Sequence, residues 1–126
     1  MVMTNHIAGV GSINISAALQ YCTPGHGVDI DTELVQAAET AALQRAVSHL
    51  VTFAVEDVMA TDLSRATAVV SFLVPRHLKL LKPKLETFLS RGGRLACYHY
   101  PLQGVQPSKV VQLKEGFDKS IFIYKL

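Results

Sequence analysis

The sequence predicts an α/β chain, a doubly wound, mostly parallel seven-strand sheet ending in an antiparallel strand pair. Three observations predict it. Short β-branched and apolar runs alternate with segments of helical periodicity, the pattern of strands joined by helical crossovers. The last two apolar runs, Val110–Leu113 and Ser120–Tyr124, are joined only by Lys114–Lys119. That is too short for a parallel crossover, so these two strands are antiparallel. Finally, the 126 residues are 49% hydrophobic and 17% charged, which excludes a disordered chain and gives one core-forming domain over 1–126.

Ile7–Gly11 runs into a glycine turn at the end of the first strand. Met1–Ile7 offers only Val2, Met3 and Ile7 as apolar residues, so this strand is the weakest and shortest. Ile13–Leu19 is a short apolar helix, and Thr23-Pro24-Gly25 is a turn. Gly27–Ile30 is a strand ending in acids. Asp31 caps the next helix, with Glu33 in its first turn and Leu34, Val35, Ala38, Ala41 and Ala42 at helical spacing. Leu50–Val55 is a strand ending at Glu56-Asp57, and Ala66–Val74 is the most apolar strand. Pro75 suits the first turn of a helix whose stripe is Leu78, Leu81, Leu85 and Leu89, with Lys79, Lys82, Lys84 and Glu86 towards water. Pro83 is expected to kink or split that helix, and Gly92-Gly93 ends it. Arg94–Tyr98 is a strand.

Several function classes are excluded or weakened. No apolar run approaches the roughly 20 residues of a membrane helix. Cys22 and Cys97 make neither a disulfide framework nor, with the five histidines, a zinc-ligand spacing, so no metal site is expected. No Ser/His/Asp or phosphate-loop pattern is present. Residues 1–63 carry Arg45 against seven acids, whereas residues 64–126 carry eleven Lys/Arg against three acids. This polarity reads first as solvated lysine faces and second as a surface for an anionic partner. No basic start or arginine-rich leader is visible, and Met1–Gln44 contains no Lys or Arg.

Ligands on such sheets bind beyond the carboxyl ends of the strands. The first end carries Gly9-Val10-Gly11, where glycine permits a sharp turn and a close backbone approach. The second ends at Asp29, eighteen residues after Gly11, a distance at which an acid can accept both ribose hydroxyls. The third ends at Asp57, which can accept from an exocyclic amine or start a turn. Together they suggest an adenosine site. Asn14 stands where a dinucleotide motif would carry its third glycine, and the chain is short for a dehydrogenase. Both points favour S-adenosylmethionine over a nicotinamide dinucleotide.

With these residues the sequence resembles the class I S-adenosylmethionine-dependent methyltransferases. The resemblance rests on the GxG turn, Gly27-Val28-Asp29-Ile30-Asp31, Glu56-Asp57 and Leu89-Ser90-Arg91-Gly92-Gly93-Arg94-Leu95. More narrowly, the second half is similar to the mitochondrial lysine methyltransferases of the ATP synthase c subunit and the adenine nucleotide translocase. Val69–Pro75, Tyr100-Pro101-Leu102, Gln106-Pro107 and Glu115-Gly116-Phe117-Asp118 carry that similarity. The resemblance implies that Gly9 and Gly11 line the methionine part of the cofactor, that Asp29 holds the ribose, and that Asp57 holds the adenine amine. It implies that Phe72–Pro75, with Phe72 and Pro75 as positioning residues, receives a protein lysine, and that the protein is mitochondrial. The chain departs from the family pattern at Ile7, where an acid is usual, and at Ile13, where a glycine is usual, and it is short at its N-terminus. Two functional expectations follow. The first is a protein-lysine methyltransferase. The alternative is a non-catalytic methyltransferase-fold module or subunit of a larger complex. His99, at the end of the fifth strand, is expected to be a structural residue or, less simply, a proton acceptor.

Overall fold

The computed structural model describes residues 2–4, 11–113 and 119–125. They form two compact units, Met1–Ala66 and Thr67–Leu126.

The first unit holds β1 (Val2–Thr4), α1 (Ser12–Tyr21), β2 (Gly25–Asp29), α2 (Thr32–Gln44) and β3 (Val51–Val55), then a 3-10 turn at Val58–Ala60. Its strands run parallel in the order β3-β2-β1. Val51 and Phe53 of β3 project onto Ile15 and Ala18 of α1 and onto Val35, Ala38 and Ala42 of α2, which form the core of this unit. Asp31 caps α2, its carboxylate accepting from the backbone N–H of Glu33 and Leu34. The described first strand lies within the expected Met1–Ile7 stretch. Of the expected glycine turn only Gly11 is described, and it caps α1. β1 is described over three residues, and those that follow it up to Val10 lie outside the described residues.

The second unit holds β4 (Ala68–Ser71), α3 (Pro75–Ser90), β5 (Arg94–Tyr98), β6 (Lys109–Leu113) and β7 (Lys119–Lys125). β4 and β5 are parallel, whereas β7 is antiparallel to both β5 and β6. The antiparallel pair expected from the short Lys114–Lys119 connection is present. The seven strands therefore give the α/β class read from the sequence. β4 is shorter than expected. Ser71 Oγ accepts from the N–H of Leu73, and Pro75 starts a helix, so the apolar run Phe72–Val74 leaves the strand and connects it to α3.

Pro83 does not split α3, which is one helix from Pro75 to Ser90. A proline inside a helix costs about 3 kcal/mol. Against that, Leu78, Leu81, Leu85, Phe88 and Leu89 are all buried. Burying five such side chains stabilises by on the order of 10 kcal/mol. Pro83 is exposed, and Thr87 Oγ1 donates to its carbonyl at 3.0 Å, which keeps that carbonyl partnered within the helix.

Candidate cofactor and acceptor sites

In the first unit the carboxyl ends of β2 and β3 are level. Asp29 pairs with Val55, and the N–H of Glu56 donates to the carbonyl of Asp29 at 3.0 Å. This register brings Asp29 and Asp57 to one edge, as the sequence reading expects. Asp29 is 7% exposed, and its Oδ1 accepts from the N–H of Asp31 at 2.9 Å, which fixes the carboxylate. Asp57 is exposed and caps the 3-10 turn, accepting from the N–H of Met59 at 2.9 Å. Part of its capacity therefore goes to the turn that the sequence offered as the alternative role.

Gly11 has φ +76°, the left-handed region. A Cβ there would lie 2.5 Å from the Phe53 ring and 3.2 Å from Ala38 Cβ, so the turn into α1 requires glycine twice over, for conformation and for space. Gly9, with Ile7, lies outside the described residues. Ile13 is the second residue of α1 and half-buried. Its backbone is helical, so glycine is not needed there for conformation; the left-handed residue of this turn is Gly11. Asn14 is 1% exposed and packs on Gly25, whose Cβ would meet Asn14 Nδ2 at 3.3 Å. In a dinucleotide motif the third glycine permits close helix–strand packing. Here the small residue is on the strand instead and the helix carries the side chain. Neither polar atom of Asn14 has a hydrogen-bond partner among the described residues.

These residues fit an adenosine-bearing cofactor. A buried, oriented carboxylate at the carboxyl end of a strand accepts hydroxyl donors such as those of a ribose, whereas the space beside Gly11 is filled by Phe53 and Ala38. Among the described residues no group of three or more His, Cys, Asp or Glu is placed to hold a metal ion.

In the second unit Phe72 follows β4, and its ring stacks on Tyr98 at the end of β5, with centroids 4.6 Å apart and planes 27° from parallel. Sequence reasoning did not single out Tyr98. The available signal was an aromatic at a strand end, but only the parallel β4·β5 pairing puts it under Phe72. Pro75 is exposed at the first turn of α3. His99 has φ +70°, and its N–H donates to the carbonyl of Ser120 at 2.9 Å, a structural tie at the edge of β7. Cys97 is buried, and desolvation pushes its thiol up to about 12, so it is inert. Among the described residues no helix is long and apolar enough to cross a membrane.

Comparison with known proteins agrees with this arrangement. The chain is 28% identical over 118 residues to a protein-lysine N-methyltransferase of Saccharolobus islandicus strain REY15A, covering 92% of this chain and 73% of that one. It superposes with a TM-score of 0.87 on an RNA methyltransferase from Salinibacter ruber in complex with S-adenosyl-L-homocysteine. That similarity is 29% identity over 98% of this chain and 78% of the other. TrmN from Thermus thermophilus shares the fold at a TM-score of 0.71 and 21% identity, covering 99% of this chain and 43% of that one. Residues 8–109 match the ANTKMT methyltransferase domain. That stretch contains both the Gly11–Asp29–Asp57 edge and the Phe72–Pro75 segment, so the chain belongs to the ANTKMT methyltransferase domain family, among the class I S-adenosylmethionine-dependent methyltransferases.

Proposed function

We propose that the protein transfers a methyl group from S-adenosylmethionine to a lysine of a protein substrate, working as one domain over residues 1–126. The observation that carries this is the level pair of strand ends, with Asp29 buried and oriented at the end of β2 and Asp57 following the end of β3. The likeness to a protein-lysine N-methyltransferase over 92% of the chain supports the acceptor class. When bound, the cofactor supplies an electrophilic methyl on its sulfonium. Gly9 and Gly11 line its methionine end, Asp29 accepts from the ribose hydroxyls, and Asp57 accepts from the adenine amine. Phe72–Pro75 positions the acceptor. The Phe72 and Tyr98 rings give that segment an apolar aromatic surface. Such a surface disfavours the charged ammonium by desolvation, which lowers the cost of a neutral, nucleophilic amine. The rest of the catalysis is alignment. Mitochondrial residence is the matching expectation from the narrower resemblance.

The test is calorimetric titration with S-adenosylhomocysteine, followed by methyl transfer to lysine in a protein substrate. Binding with transfer supports the proposal. Binding without transfer to lysine sinks the acceptor class. No binding would leave a non-catalytic partner subunit.

A further inference from the structure

A cavity of about 530 Å³ lies within the second unit, between the first turns of α3 and the segment 100–103. Such a volume takes a side chain or a short peptide stretch. Arg76, Lys79 and Lys82 line it at three-residue steps along α3, and no acid lines it. Among the described residues the counter-charge beside these cations is Glu86, 3.8 Å from Lys82 Nζ and too long for a hydrogen bond. Lys82 reaches across to the opposite segment, its Nζ lying 2.6 Å from where a Cβ on Gly104 would sit. The floor is apolar, with Leu78 and Leu102 both buried. The far wall is built rather than loose. The N–H of Leu102 donates to the Tyr124 hydroxyl at 2.7 Å, and Tyr124 is fully buried. Pro75, the end of the segment assigned to the acceptor, is part of the lining.

We propose that this cavity binds acidic side chains of the protein substrate beside its acceptor lysine, and so selects lysines with acidic flanks. The proposal deepens the protein-lysine reading and rests on it. Glutamate fits both halves of the cavity. Its methylenes pack on Leu78 and Leu102, and its carboxylate meets three cations, which it pairs with most strongly where water is partly excluded. RNA fits less well. The three cations line one hollow instead of tracking a backbone, and Tyr100 is the one aromatic in the lining.

The test uses three peptides with one central lysine flanked by glutamates, by glutamines or by arginines. Their binding is read by fluorescence anisotropy with S-adenosylhomocysteine present, alongside methyl transfer. The glutamate peptide is expected to bind about tenfold tighter than the glutamine peptide. That preference should shrink as salt is raised. The double variant Arg76→Glu, Lys79→Glu should reverse the order in favour of the arginine peptide, with S-adenosylhomocysteine affinity as the check on folding. Should that variant misfold, Arg76→Gln alone should lower the glutamate preference about threefold. Flank-dependent binding without methyl transfer supports the cavity while removing the lysine reading. Methyl transfer indifferent to flanking charge overturns the cavity and keeps that reading. Single-stranded RNA binding that depends on Arg76 and Lys79, with no peptide preference, also overturns it.

Discussion

Asp29 carries the largest single role assigned to a residue. Charge-assisted bonds from a carboxylate to hydroxyls contribute roughly 1.5–3 kcal/mol each. Asp29→Ala is therefore expected to weaken S-adenosylhomocysteine binding by about tenfold or more in calorimetry. Asp29→Asn, which can still accept from the Asp31 N–H, should keep the fold and lose most of that affinity. Unchanged binding in both would remove the ribose from Asp29. The two cysteines give an independent check on burial. Cys22 is exposed at the end of α1, whereas Cys97 sits inside β5. An alkylating reagent at mild pH should modify Cys22 alone, with Cys97 reacting only in denaturant. Because folding raises the Cys97 thiol from its ordinary value to about 12, the folded state keeps a proton that the unfolded state loses first. That contribution to stability is present below the ordinary thiol range and is lost as pH rises towards about 12. Rapid double modification of the native protein would contradict the buried β5.

At the scale of elements, α3 tolerates Pro83 because its apolar stripe outweighs a local defect. The defect is still there. Pro83→Ala restores an N–H donor and a better helix former, and should raise the unfolding free energy by about 1–3 kcal/mol in urea titrations. A loss of stability would mean that the ring makes packing contacts its exposure does not suggest. Much of the element order was legible because it depends on local chemistry: Asp31 capping α2, Pro75 opening α3, and the short connection forcing β6 and β7 antiparallel. The left-handed Gly11 is the turn that the glycine pattern marks. The boundary that failed has a specific cause. The apolar run Phe72–Val74 lengthened the fourth strand, although the Ser71 hydroxyl turns the chain out of the sheet.

For the whole molecule, the decisive quantity is whether the cofactor binds the folded chain. A ligand at about 100 times its Kd stabilises the native state by about 2.7 kcal/mol. For a chain of 126 residues that corresponds to a rise in Tm of roughly 10 °C. Thermal unfolding with and without saturating S-adenosylhomocysteine should show it. An unchanged Tm would oppose a working methyltransferase.

The sequence by itself determined the α/β class, the antiparallel ending, the adenosine-type cofactor and the residues at the strand ends. Each depends on spacing along the chain: the alternation of periodicities, a connection too short to cross over, and acids placed where strands stop. It also pointed to the family through contiguous motifs. Tertiary structure alone decided what depends on neighbours far apart in sequence. The Phe72–Tyr98 stack needs the β4·β5 register. The swap of small and large residues between Asn14 and Gly25 needs the packing of α1 on β2. Lys79 and Lys82, which helical periodicity assigns to solvent, line a cavity because the segment 100–103 lies against α3. That segment is held by the hydroxyl of Tyr124, twenty-two residues beyond Leu102. Helical periodicity says which residues share a face, but the partner of that face is set by contacts the local pattern does not contain.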